Sequence, residues 1–221
     1  MIGTLNEGAL HAQLKEWYRE PGDLLEEKVD GYVVDLVRGE LLVEFQTGGF
    51  TPLRRKLAAL VDAHRVRLVA PVAVTRRIVR LSDAGEVLSS RRSPRHGCLH
   101  DVFDRLVSIP ALLAHPNFEL EVLLTHQDEL RIFRAGRAYR RRGWVVAGRS
   151  LVEVEGAVLI RDAADAAALL PELADTFDTA ELAAGSRIDR RLAQRMAYCL
   201  RALGVIEPVG KRGSAVLYAR T

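Results

Sequence analysis

Apolar positions in the first third of the chain switch between helical and strand spacing. Leu10, Leu14 and Trp17 recur at helical intervals within 4–20, and Thr4 with Glu7 makes a T-x-x-E capping box. A helix is therefore expected there, ending at Pro21-Gly22. Short β-branched runs predict strands at 24–29, 32–37 and 41–46, the last two joined by a tight turn at Arg38-Gly39-Glu40. Thr51 before Pro52 predicts a helix N-terminus, with Leu53, Leu57, Leu60 and Val61 facing inward as far as His64. Residues 66–74, VRLVAPVAV, read as a buried strand.

Further along, 77–91 reads as a hairpin turning at Asp83-Ala84-Gly85 and 99–114 as an amphipathic helix. A strand follows at 118–125, then an Arg-rich hairpin and a strand near 150–154. The loop Ser93-Pro94-Arg95-His96-Gly97 and Pro171 divide the chain into regions 1–95, 96–170 and 171–221. In the last region a short helix capped at Thr179 precedes a Gly185-Ser186 turn. A longer helix over 187–203 ends at Gly204, and two strands surround a Gly-Lys-Arg-Gly tip. Leu192, Met196, Cys199 and Leu203 have the spacing of a core stripe, so Met196 and Cys199 read as packing residues.

Composition narrows the classes. With 48% hydrophobic and 28% charged residues, the 221-residue chain is globular, and no apolar run approaches the roughly 18 residues of a membrane span. Glu7, Lys15, Glu16, Arg19 and Glu20 are incompatible with a secretory signal, so the protein is expected to begin near Met1 and to stay in the cytoplasm. Two cysteines, Cys98 and Cys199, exclude a disulfide framework and a four-cysteine zinc site. His96, Cys98, His100 and Asp101 lack a second cluster and read as loop residues beside a helix cap. Net charge is only +3, yet Arg131, Arg134, Arg137, Arg140, Arg141, Arg142 and Arg149 crowd a stretch without an acid. Arginine in that density suits the phosphates of a nucleic acid, although a GC-rich genome also enriches arginine. Walker, dinucleotide and G-x-S-x-G motifs are all missing.

The chemistry-bearing segment is Val29 to Gly48, VDGYVVDLVRGELLVEFQTG. Strand alternation puts Glu44 and Gln46 on one face, and a two-residue turn brings Asp35 to that face. With Gly39-Glu40 as the turn, Asp35 lies directly opposite Glu44. Both strands are otherwise apolar, so carboxylates there need pairing or a cation. Two adjacent carboxylates suit Mg²⁺ or Mn²⁺, whose shell waters and a phosphate complete. Solvated strand ends, salt-bridged to nearby arginines, are the plainer alternative. Asp30 falls on the opposite face.

This segment resembles the PD-(D/E)XK nuclease superfamily, whose restriction-endonuclease-like core runs helix, three-strand meander, helix, strand. Residues 4–75 follow that order. The resemblance makes Asp35 the metal-binding acid and Glu44 the acid of the E-x-K half-motif. Gln46 stands at the lysine position, where it would orient the attacking water without a charge. Arg54 or Lys56, on the next helix, are candidates for the missing cation. Glu7 matches an acid on the family's first helix. The resemblance thus implies metal-assisted hydrolysis of a phosphodiester, with Glu7, Asp35, Glu44 and Gln46 as the catalytic set and Asp35 and Glu44 as metal ligands.

The last 45 or so residues resemble a winged helix, a relative of the helix-turn-helix. In that family the second helix of the motif enters the major groove and the wing touches backbone. Arg187, Arg190, Arg191, Gln194 and Arg195 on that helix, with Lys211 and Arg212 on the wing, become the DNA-binding set. The expected whole is an α/β protein: a restriction-endonuclease-like mixed sheet flanked by helices, an Arg-rich α+β middle region and a C-terminal winged helix. It would bind DNA, with RNA as an open alternative and no membrane partner; symmetric double-strand cutting would require a homodimer. A non-catalytic DNA-binding protein on a degenerate nuclease fold, or a winged-helix adaptor, fits the same residues.

Overall fold

The computed structural model describes residues 8–221, so the Thr4–Glu7 capping box lies outside the described residues. Helix α1 (Gly8–Tyr18) packs Leu10 and Leu14 onto a sheet. Trp17, expected in that stripe, is half exposed, and Tyr18 packs inward in its place. Strands β1 (Leu24–Val29) and β2 (Tyr32–Arg38) pair around Asp30-Gly31, whose φ values of 47° and 82° are what a type I′ turn requires. Strand β3 (Leu41–Phe45) returns from β2 through Gly39-Glu40, with Arg38 paired to Leu41 and Gly39 at φ 58°. A 3-10 turn (Thr51–Leu53) leads into helix α2 (Arg54–Val61), so Thr51 sits inside the turn and makes no side-chain cap.

Strand β4 (Arg65–Leu81) runs parallel to β3 and joins the expected 66–74 strand to the first arm of the expected hairpin, whose second arm is β5 (Val87–Arg92). Strands β6 (Phe118–Phe133) and β7 (Trp144–Ile160) likewise run far past 118–125 and 150–154. These distal halves carry arginines at strand spacing, so hydrophobicity does not mark them; their backbone groups pair with one another instead. The sheet order is β1-β2-β3-β4-β6-β7, and β5 joins β4 on the edge that β3 leaves open. This is a mixed sheet flanked by helices.

The expected helix at 99–114 is broken into a 3-10 turn (Leu99–Val102), helix α3 (Phe103–Leu106) and a second 3-10 turn (Pro110–Ala114). Pro110 brings no N–H and pushes Ile109 to φ −139°, out of the helical region. Then come α4 (Ala163–Ala167), β8 (Thr176–Phe177), α5 (Thr179–Ser186), α6 (Arg190–Ala202), β9 (Ile206–Arg212) and β10 (Ala215–Arg220). The last three strands form a second sheet in the order β8-β10-β9. Asp178, not Thr179, caps α5, and α6 begins at Arg190 under an Asp189 cap, three residues later than expected. The β9–β10 turn is Gly213-Ser214, so Lys211 and Arg212 are strand residues just before the tip.

Two cores cover the two faces of the large sheet. Leu10 and Leu14 meet Leu36, Val43, Phe45, Val69 and Leu123 on one side. On the other, Leu42, Leu57, Leu68 and Leu120 belong to a cluster that continues through Phe103 and Leu106 to Phe177, Met196 and Leu200. Regions 1–95, 96–170 and 171–221 thus share one apolar interior. No described helix is long and apolar enough to cross a membrane.

Candidate functional site

Asp35 stands where the alternation of β2 fails. Val34 and Leu36, two residues apart, pack into opposite cores, and Glu26 across from Asp35 takes φ 57°. A left-handed glutamate within a strand is strained, and this irregularity sits where the neighbouring strand changes face. The backbone pairs of β2 and β3 end at Leu36 with Val43. At the next step side chains take over the ladder. The Phe45 N–H donates to Asp35 Oδ2 (2.9 Å), and the Asp35 N–H donates to Glu44 Oε1 (3.3 Å). Asp35 lies across from Glu44 along the strands, as the Gly39-Glu40 turn requires, but the expected shared face is not found: with the alternation of β2 broken, Asp35 turns to α1 and Glu44 to α2.

Basic side chains reach this gap from both faces. From α1, His11 Nε2 lies 3.1 Å from Asp35 Oδ2 and 3.1 Å from the Phe45 carbonyl oxygen. Lys15 Nζ donates to Glu26 Oε1 (2.8 Å) and stands 3.9 Å from Asp35 Oδ1. From α2, Lys56 Nζ lies 2.5 Å from Glu44 Oε1 and donates to the Val33 carbonyl. Glu44 is 2% exposed. Burial works to raise the Asp35 carboxyl, but its bonds from His11 and Phe45 and the charges of His11 and Lys15 hold it below the ordinary carboxylate range. Burial pushes Glu44 up, and the Asp35 charge adds to it against the pull of Lys56. The two neighbouring carboxyls are driven in opposite directions.

Gln46 does not join this group through its amide, which donates to the Gly49 carbonyl (2.6 Å) and closes the loop after β3. Lys56, not Arg54, brings a cation to Glu44; Arg54 lines a separate groove beside Pro110 and Tyr198. Glu7 lies outside the described residues. His11 and Lys15 were not singled out from the sequence, although residues 7, 11 and 15 share one helical face, the signal that could have found them. Asp30 is turned away and bonds His64 (2.7 Å). Near Cys98, the Cys98 N–H donates to Asp101 in a capping interaction and His100 Nε2 lies 3.1 Å from the Leu169 carbonyl. Among the described residues no three His, Cys, Asp or Glu side chains gather closely enough to hold a metal.

On α6, Arg190, Arg191 and Gln194 are exposed, and Arg187 just precedes it. Arg191, Gln194, Tyr198 and Arg201 fall at helical spacing on one solvent face, with the Arg201 guanidinium 5.9 Å from the Tyr198 ring. Two members of the expected DNA-binding set are engaged within the molecule. Arg195 bonds Asp104 of α3, and Arg212 bonds Glu181 (2.5 Å) and Asp178 (3.2 Å). Lys211 is exposed. The β6–β7 hairpin tip carries exposed Arg137, Arg140, Arg141 and Arg142 around Tyr139, which is 97% exposed. Arg131 and Arg134 are bonded to Glu129 and Asp83.

Residues 8–161 match the family described as Domain of unknown function (DUF8091), and the chain belongs to that family. It is also 30% identical, over 223 residues, to a protein of Treponema pallidum (strain Nichols) described as an uncharacterized protein. That match spans 99% of this chain and 87% of the relative. No solved structure matches the chain.

Proposed function

We propose that this protein is a metal-dependent nuclease acting on DNA, with Asp35 and Glu44 at its centre. The observation that carries the reading is the placement of these two carboxylates at the point where β2 and β3 part, with the Asp35 N–H donating to Glu44. A helix, a three-strand meander, a second helix and a parallel fourth strand surround them, in keeping with a restriction-endonuclease-like fold. The donor set fits a hard divalent cation. Asp35 Oδ2 and the Phe45 carbonyl oxygen both lie 3.1 Å from His11 Nε2, so a cation drawing on these two oxygens would take the place of the imidazole. Mg²⁺ takes one or two carboxylates with several waters, so a third acidic side chain is not needed. Asp35, Glu44 and the Phe45 carbonyl would hold Mg²⁺ or Mn²⁺, which lowers the pKa of a bound water and neutralises phosphate charge.

The chain's own residues account for the rest. Lys56 provides, beside Glu44, the donor that Gln46 cannot, and is placed to orient a phosphate oxygen or a water. Lys15 offsets the charge on Asp35 and Glu26. The order α4-β8-α5-α6-β9-β10, with β8 on β10, accords with a winged helix. Its α6 would present Arg187, Arg190, Arg191 and Gln194 to DNA, with Lys211 on the wing and the Arg137–Arg142 tip as a second phosphate contact. The test is conversion of supercoiled plasmid to nicked or linear DNA. Wild type should convert it with Mg²⁺ or Mn²⁺ and fail in EDTA, and Asp35→Asn should fail with metal. Intact plasmid after incubation of folded wild type with either metal would overturn the reading.

One observation favours a second reading, a non-catalytic DNA-binding protein. Each carboxylate already has an ammonium or imidazole partner, and the Gln46 amide is committed to its own loop. Metal-independent, strongly salt-dependent DNA binding without cleavage would select it.

A further inference from the structure

Between the end of β3 and the start of β5, the edge of β4 is covered by a loop. The Ser93 N–H donates to the Arg76 carbonyl (2.7 Å) and the Gly97 N–H to the Val74 carbonyl (3.3 Å). Only glycine allows that approach at position 97, where a Cβ would lie 2.4 Å from the Ala73 carbonyl oxygen. Loop, strand and α3 line an open polar cavity of about 260 Å³, bordered among others by Thr47, Arg76, Arg95, Asp101 and Arg105. Thr47 places it three residues past Glu44.

Arg76 of the lining joins a cluster behind the cavity in which positive charge exceeds its partners. Arg76, Arg131 and Arg149 face a single buried carboxylate, Glu129. Arg131 already takes Glu129 Oε1 with two bonds, 2.8 and 2.6 Å long. Arg76 Nη1 and Arg149 Nε come no nearer to Oε2 than 3.6 and 3.9 Å. Both arginines bury an Nε with no hydrogen-bond partner among the described residues. Of the two aspartates lining the cavity, Asp104 is taken by Arg195 and Asp101 accepts from the Cys98 N–H. Burial, with Arg149, Arg95 and Arg131 adding, holds Arg76 below the ordinary guanidinium range despite Glu129. Buried donors without acceptors, in a setting of excess charge, call for an anion.

We infer that this cavity is a phosphate-binding site in which Arg76 and Arg95, both in its lining, grip a phosphate group carried by a nucleic-acid strand end or by a small phosphorylated ligand, with the charge of Arg149 behind Arg76. Guanidinium forks match phosphate oxygens in pairs, and orphaned Nε atoms are half of such forks. The inference does not rest on cleavage at Asp35 and Glu44, and its test is run in EDTA, where no metal-dependent cutting occurs.

The experiment is calorimetric titration of inorganic phosphate into wild type, Arg76→Gln and Arg95→Gln at constant ionic strength. Wild type should bind one phosphate, and each variant should bind about tenfold more weakly, as loss of a charge-assisted hydrogen bond implies. Both variants should melt in chloride buffer close to wild type, because Glu129 keeps its two bonds from Arg131, and because Arg95 is exposed; that separates lost binding from lost folding. A 5′-phosphorylated oligonucleotide binding more tightly than its 5′-hydroxyl twin would make a strand end the ligand. Equal oligonucleotides alongside tight inorganic phosphate would make it a small phosphorylated molecule. No heat of phosphate binding to wild type, or equal binding by the folded variants, overturns the inference.

Discussion

Lys56→Met tests whether Glu44 is held as a buried charge. Glu44 is 2% exposed and has Lys56 Nζ 2.5 Å from Oε1, while the same ammonium donates to the Val33 carbonyl. Removing one partner of a buried pair costs about 3–5 kcal/mol when the remaining charge has no escape. Glu44 has one: it can take a proton. Starting from an ordinary value of 4.5, protonation at about pH 7 costs about 3.4 kcal/mol, at 1.36 kcal/mol per pH unit. That figure is a ceiling on the carboxylate's share of the loss; the Val33 hydrogen bond adds about 1 kcal/mol. At about pH 5.5 the ceiling falls to about 1.4 kcal/mol.

The sign follows from the raised Glu44 pKa. A carboxyl raised by folding contributes stability that is complete below 4.5 and fades as pH rises through the folded pKa. Without Lys56 the folded pKa climbs further. The two proteins should therefore differ little in acid and separate as pH rises past the wild-type value. Urea unfolding in EDTA at about pH 5.5 and 7 would measure this, and Glu44→Gln in the Lys56→Met background should recover most of the neutral-pH loss. A loss that is the same at both pH values, or no loss at neutral pH, refutes a buried charged Glu44.

Three further outcomes follow from local geometry. Asp178→Ala removes bonds to the Ala180 and Glu181 N–H groups and should cost about 1–2 kcal/mol by thermal melting. Because the Asp178 pKa is lowered, chiefly by its backbone bond with Glu181, that contribution is present above 3.8 and should vanish as pH falls through the folded value. Gly97→Ala puts a Cβ 2.4 Å from the Ala73 carbonyl and 2.9 Å from Asp101 Oδ2, and should destabilise by about 1–3 kcal/mol; unchanged denaturant midpoints would sink that view of the loop. Replacing Arg140, Arg141 and Arg142 together by alanine should flatten the slope of log K against log salt for DNA by about 1–3, read by anisotropy, if the hairpin tip meets phosphates.

The sequence carried local detail better than distant geometry. Gly39-Glu40 set the β2–β3 register, because a two-residue turn fixes which residues lie across from one another, but the shared face expected of Asp35 and Glu44 was lost where the alternation of β2 breaks. Leu192, Met196, Cys199 and Leu203 read correctly as core from helical spacing alone. The distal halves of β4, β6 and β7 were not legible. Their arginines interrupt the apolar pattern, while pairing across the sheet holds the backbone extended. Pro110 was the missed sign that 99–114 could not be one helix. His11 escaped notice since its role depends on α1 lying over the gap between β2 and β3, a tertiary fact. Arg195 and Arg212 looked available for DNA until Asp104, Asp178 and Glu181, distant in sequence or on another element, claimed them.

The central claim is that Asp35 and Glu44 form a centre that cuts DNA bound elsewhere on the molecule. Single-turnover incubation of end-labelled duplex and single-stranded DNA with wild type and Glu44→Gln, in Mg²⁺, Mn²⁺ or EDTA, tests it most directly when binding is measured on the same samples. The account predicts metal-dependent products from wild type and none from Glu44→Gln, with both proteins binding DNA equally in EDTA. Equal cleavage by both proteins, or none by wild type that binds DNA with either metal present, would contradict it.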